Sequence, residues 1–196
     1  MRVVTAFTPG PYAALADRLL ASCHKFDVPI FPLPFSDLGS WAANANYKPT
    51  AILQAMRQTG DDVLWLDADM ELLAPLPEFA KPADCWLHRP QAYGQVFDFA
   101  RGAWVDNTAR LRAPWGGHCA FANTTRSRDL IIEWQSLCDG FTPATNDEQC
   151  LLHAIRRQDA MNEFDITIAP FPPVASWLRH TPAGLQHGKP PAWSAV

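Results

Sequence analysis

Short apolar runs alternate along this chain with longer segments whose apolar residues recur at helical spacing, a pattern that predicts a sheet with helices packed against it. Arg2 to Thr8 predicts a first strand, and Pro9-Gly10-Pro11 the turn after it, with Pro11 placed to open a helix. That helix is expected from Tyr12 to Lys25, with Leu15, Leu19 and Leu20 on its inner face. Val28 to Leu33 predicts a short second strand. Ser36 to Asn46 is small, polar and read as irregular, with Trp41 as a loop anchor against the core. Tyr47 to Arg57 predicts a second helix with Pro49 in its first turn and Ile52, Leu53 and Met56 facing inward. Val63 to Leu66 is continuously apolar, as in a central strand covered on both faces.

Beyond it, Leu72 to Pro82 reads as a proline-rich loop and Cys85 to His88 as a strand. Arg89 to Arg112 mixes aromatics, glycines and charges without a clean period, and we expect a strand with long loops there, facing an acceptor. Gly116 to Asn123 predicts a strand introduced by two glycines. Ser127 is placed to cap a helix carrying Leu130, Ile131, Trp134 and Leu137 on one face. Thr145 to Gln149 begins another helix, with Asn146 and Gln149 at the spacing of a capping box, and Asp165 to Ala169 is a late strand. The expected fold class is α/β, a mostly parallel central sheet flanked by helices.

Composition narrows the class. A chain of 196 residues and 21.8 kDa suits one domain, which at this size buries roughly 70% of the surface its unfolded chain exposes. The 18 prolines cluster at 29–34, 75–82, 170–173 and 190–191, favouring short elements and stiff connections. A net charge of -4 and a pI near 5.8 leave no electrostatic footprint for nucleic acid, which is not an expected partner. Five cysteines form no Cys-x-x-Cys pair, so neither a zinc ribbon nor a disulfide framework fits, and a reducing cytoplasm is the simplest setting. No stretch approaches the ~20 apolar residues of a membrane span. We expect a soluble, cytoplasmic protein.

Candidate chemistry starts where the central strand ends. Asp67 and Asp69 are two residues apart, so in extended chain both point to one side, at the sheet edge where α/β proteins bind ligands. Such a pair suits a hard divalent cation, or a ligand hydroxyl and a cation together. The competing reading is that acidic residues after a strand simply solvate and cap the next turn. Lys48 opens a helix, where a cation is unfavourable for structure but useful for holding phosphate. Asp147 and Glu148 sit where a helix dipole favours acids in any case. His118 is expected to be a packed strand residue.

Lys48-Pro49 opening a helix, Leu66-Asp67-Ala68-Asp69, Gly116-Gly117 before a strand ending at Asn123, the Trp134 helix, Asn146 to Gln149, and a late His followed by Gly188-Lys189-Pro190 resemble, in that order, the GT-A glycosyltransferases. The resemblance is to the glycogenin-like and related small nucleotide-diphospho-sugar transferases, and it covers most of the chain. It implies a single catalytic domain over 1–196, with a tail from 176 to 196 closing over the donor site. It implies a UDP-sugar donor, UDP-glucose or UDP-galactose, with Mn2+ or Mg2+ as cofactor, an acceptor of unknown kind, and retention of configuration. Asp67 would contact ribose and share the cation, Asp69 would coordinate it, and a tail histidine, His180 or His187, would add a ligand. His180 is the preferred one. Lys189 and Lys48 would meet the diphosphate, while Thr5, Phe7, Thr8, Tyr12, Ala68, Gly116 and Gly117 would line the base, ribose and phosphates. Asp147 and Glu148 would bind the sugar hydroxyls or stabilise its developing charge. The family's tail spacing is not reproduced here, since Trp193 stands three residues after Pro190. Two alternatives stay open: water as acceptor, giving a UDP-sugar hydrolase, and a nucleotide-sugar-binding protein without turnover.

Overall fold

The computed structural model describes residues 1–88, 91–92, 95–107, 112–113, 116–142, 144–161 and 166–180. In chain order the elements are β1 (Arg2–Phe7), α1 (Pro11–Lys25), β2 (Ile30–Pro34), α2 (Trp41–Asn46), α3 (Lys48–Thr59), β3 (Val63–Leu66), β4 (Met70–Leu72) and β5 (Cys85–Leu87). There follow β6 (Gln91–Ala92), β7 (Gln95–Asp98), β8 (Ala103–Asp106), β9 (Arg112–Ala113), β10 (His118–Phe121), α4 (Thr125–Phe141), α5 (Asp147–Met161), β11 (Ile168–Pro170) and β12 (Leu178–His180).

The expected α/β architecture is borne out. Among the described residues, a six-stranded sheet runs β11-β5-β10-β3-β1-β2, and only β10 is antiparallel to its neighbours β3 and β5. Its interior strands are apolar on both faces because both faces are covered. Val4, Val63, Trp65, Cys119 and Phe121 pack in one core with Ile52 and Met56 of α3, Leu130 and Trp134 of α4 and Leu151 of α5. Val3, Leu64, Leu66, Trp86 and Ala120 pack in the other, with Leu19 of α1 and with Phe79, Phe171 and Trp177 from the connecting segments. Leu64, Leu66 and Trp134 are wholly buried, each aliphatic side chain among them contributing about 1.5–3 kcal/mol to folding. Pro32 and Pro34 lie in β2 at one sheet edge, where a missing donor costs no ladder bond and discourages further pairing.

Three local expectations are corrected. The segment read as irregular contains α2, because Ser40 accepts a hydrogen bond from the Ala43 amide and caps a turn that carries three alanines. Helix α4 is capped by Thr124, whose hydroxyl accepts from the Ser127 amide, so Ser127 lies inside the helix rather than at its mouth. Among the described residues from 91 to 113, short antiparallel pairs form, β6 with β9 and β7 with β8, in place of one strand.

Candidate active site

The two aspartates leave β3 at its C-terminal end, opposite the start of β10. His118 pairs with Leu66, and the Asp67 amide donates to the Gly117 carbonyl at 3.0 Å, so the glycine pair faces the aspartates directly. Trp65, two residues before Asp67 on the same strand face, donates its indole N–H to Asp67 Oδ1 at 2.7 Å. Strand spacing alone could have revealed that contact, which sequence reasoning missed. Burial pushes the Asp67 carboxyl up to about 6, opposed by Lys48 and reinforced by Asp69; its side chain is still 39% exposed, so water moderates the desolvation.

Asp69 is joined by His180. Strand β12 pairs antiparallel with β4, placing His180 beside Met70, and the His180 Nε2 lies 3.0 Å from Asp69 Oδ2. β4 is tied in turn to α1, because the Leu72 amide donates to Ser22 Oγ at 3.0 Å. Among the described residues, the other Asp69 oxygen, Oδ1, is buried without a hydrogen-bond partner, which is costly for a carboxylate unless a cation or water meets it. Asp67, Asp69 and His180 supply oxygen and imidazole donors of the kind Mn2+ takes. They fit that ion by type and by the orphaned oxygen, although among the described residues no group of three or more His, Cys, Asp or Glu stands already arranged around one centre. His187 and Lys189 lie outside the described residues.

Lys48 is placed differently from expectation. It is 6% exposed and donates to the Gly116 carbonyl and to Asp147 Oδ2, both at 2.6 Å, with Asp67 Oδ1 at 3.5 Å. Its ammonium also lies 5.4 Å from the Trp65 ring centre. Burial alone would work against the charge, but Asp147 and then Asp67 outweigh it and raise the Lys48 pKa. Asp147 and Glu148 lie in the first turn of α5, where the helix dipole favours acids, and both also join this cluster. Asp147 binds Lys48, and Glu148 accepts from the Gly116 amide at 2.8 Å. The helix is capped by Asn146, which accepts from the Gln149 amide, while Gln149 reaches to the Phe97 amide of β7 rather than back to its own helix start. Trp134 fixes the same turn by donating to the Asp147 carbonyl at 2.7 Å.

On the other side of the aspartates, Phe7 and Tyr12 pack with Ala68, Leu15 and Ala16. The Tyr12 hydroxyl is held above its ordinary pKa by burial, then by Asp69 and Asp67, consistent with its place near both. Thr8 is half-buried in the turn, where Gly10 at φ 92° has no atom within 4 Å of a built Cβ. Thr5 is wholly buried in β1. Phe35 and Tyr47, which sequence reasoning did not single out, stack with centroids 4.4 Å apart, and the Phe35 amide donates to the Phe7 carbonyl.

Two histidines stand behind this edge. His118 is wholly buried, packed against Phe171 and edge-on to His88 at 4.8 Å, as expected of a packed strand residue. Burial, then His88, Lys48 and His180, push its pKa down to about 3, so it is neutral.

Against known proteins, the fold matches the solved structure of a glycosyltransferase involved in the glycosylation of the major capsid of PBCV-1, with a TM-score of 0.59 at 10% identity, over 86% of this chain and 80% of that one. At that identity the likeness establishes a shared fold. No family model and no curated protein matches the sequence. Among the described residues, no helix is long and apolar enough to cross a membrane.

Proposed function

We propose that this chain is a metal-dependent glycosyltransferase that takes its sugar from a UDP-sugar, UDP-glucose or UDP-galactose, and transfers it with retention of configuration. The observation that carries the reading is that Asp67 and Asp69 leave the C-terminal edge of β3 with His180 Nε2 3.0 Å from Asp69 Oδ2, and that, among the described residues, nothing hydrogen-bonds to the buried Asp69 Oδ1. In this reading Asp69 and His180 hold Mn2+ or Mg2+, and Asp67 shares it while meeting the ribose. The bound cation neutralises the charge that grows on the diphosphate as the sugar–phosphate bond breaks. Phe7, Tyr12 and Ala68 form the base and ribose wall, and the glycine pair lets the phosphates approach the backbone. Glu148 places negative charge beside the donor sugar, whose anomeric carbon becomes positive in the transition state, while Asp147 acts on the site through its ion pair with Lys48. His187 and Lys189 remain candidates to close the tail over the diphosphate.

The test is UDP release from a panel of nucleotide sugars, with Mn2+, Mg2+ or chelator, and with or without acceptors. Turnover that needs both metal and acceptor is expected. Equal release without acceptor makes the protein a hydrolase, and nucleotide binding without turnover makes it a binding protein.

A further inference from the structure

Lys48 is enclosed more completely than a phosphate-gripping lysine can be. An ammonium has three donors, and here two are spent on short contacts to Asp147 and the Gly116 carbonyl, while Asp67 stands off at 3.5 Å. Turning outward would break both short contacts and leave Asp147, 4% exposed, as an unpaired buried charge. The enclosure is also sterically closed. A Cβ added at Gly116 would lie 2.7 Å from Asp147 Oδ2 and 3.0 Å from Lys48 Nζ, so only glycine leaves this cluster intact.

The asymmetry of the contacts suggests a task. Lys48 is held firmly by Asp147 and only loosely by Asp67, so it can share Asp67 with a second cation without losing its own anchor. We infer that Lys48 is a built-in counter-cation of the two-aspartate seat, steadying Asp67 when no divalent cation is bound and weakening that cation's grip enough for exchange. The inference rests on the cation seat of the proposed function. Asp147 acts through Lys48, as the anchor that keeps the ammonium from closing on Asp67. Removing a unit positive charge that stands 3.5 Å from Asp67 is expected to change the affinity of the seat for a cation by roughly tenfold, even with water-like screening.

The experiment is titration of the full chain with Mn2+, without nucleotide, following free Mn2+ by electron paramagnetic resonance. Lys48→Met is expected to bind Mn2+ about tenfold more tightly than wild type, and Asp147→Asn, which frees Lys48 to lean on Asp67, about threefold to tenfold more weakly. Circular dichroism establishes that each variant is folded. Unchanged or weaker binding by folded Lys48→Met overturns the inference. If that variant does not fold, Asp147→Asn decides alone, and unchanged or tighter Mn2+ binding overturns it. A wild type that takes up no Mn2+ removes the seat and this inference together. A wild type that binds Mn2+ while Lys48→Met binds it equally sinks this inference and leaves the proposed function standing.

Discussion

Gly116→Ala is the smallest change that reaches the centre of the cluster. The added Cβ would meet Asp147 Oδ2 at 2.7 Å, Glu148 Cγ at 2.9 Å and Lys48 Nζ at 3.0 Å, all inside ordinary contact distance. None of these neighbours can move freely. Asp147 is bonded to Lys48 at 2.6 Å and Glu148 to the Gly116 amide at 2.8 Å, so relief of the clash must stretch one of those bonds. Overpacking a tight site costs about 1–3 kcal/mol, and weakening a hydrogen bond to a charged group about 1.5–3. Because the chain chooses the cheaper relief, the expected loss is about 1–3 kcal/mol rather than the sum, or roughly 2–12 °C in melting temperature for a chain of this length. Gly140→Ala is the internal control. Gly140 lies in α4 with nothing within 4 Å of a built Cβ, so the same substitution should stabilise by about 0.5–1 kcal/mol. Thermal melts and urea titrations of the two variants measure both numbers. A Gly116→Ala melt within about 1 °C of wild type would refute the tight-cluster reasoning.

Further outcomes follow from other contacts. His118, neutral in the fold down to about pH 3, gains a proton in the unfolded chain below its ordinary value of 6.5, so its contribution falls as pH drops from 6.5 towards 3. Asp67 works in the opposite sense between its ordinary value of 3.8 and about 6, more weakly because it is part exposed. Urea titrations from pH 4.5 to 6 should therefore show His118→Leu gaining on wild type by about 1 kcal/mol for each unit of acidification; a constant difference would contradict a neutral buried His118. Thr124→Ala removes both the cap on the Ser127 amide and the hydroxyl bond to Asp84 Oδ1 at 2.8 Å, and should cost about 1–2 kcal/mol by urea titration, with Thr124→Ser recovering most of it. His180→Ala should weaken Mn2+ uptake by about tenfold or more, read by the same free-ion titration; unaltered uptake would leave His180 as a partner of Asp69 alone.

What the sequence made legible was what local pattern encodes. The apolar run of β3, the inward faces of α1, α3 and α4, and the aspartates at the strand's end follow from periodicity and burial. What it hid depends on distance along the chain. Lys48 looks like an open helix mouth until α5 delivers Asp147 from 99 residues away, and no local signal distinguishes a phosphate ligand from the centre of a buried ion cluster. The β4–β12 pairing is equally silent, since each strand is too short to show a period, yet it brings His180 to Asp69. Gln149 occupies the right place for a capping box but finds a partner in β7, so the cap is half made. Ring contacts such as Phe35 stacked on Tyr47 and His88 edge-on to His118 join residues distant in the chain, which one-dimensional spacing does not reveal.

The most direct test of the proposed activity compares wild type with Asp69→Ala for UDP release from UDP-glucose and UDP-galactose, with an acceptor panel, in Mn2+ and in chelator. The account predicts release by wild type in Mn2+, loss of that release in chelator, and a fall of about a hundredfold or more in Asp69→Ala. Full release in chelator, or an Asp69→Ala variant as active as wild type, would contradict it.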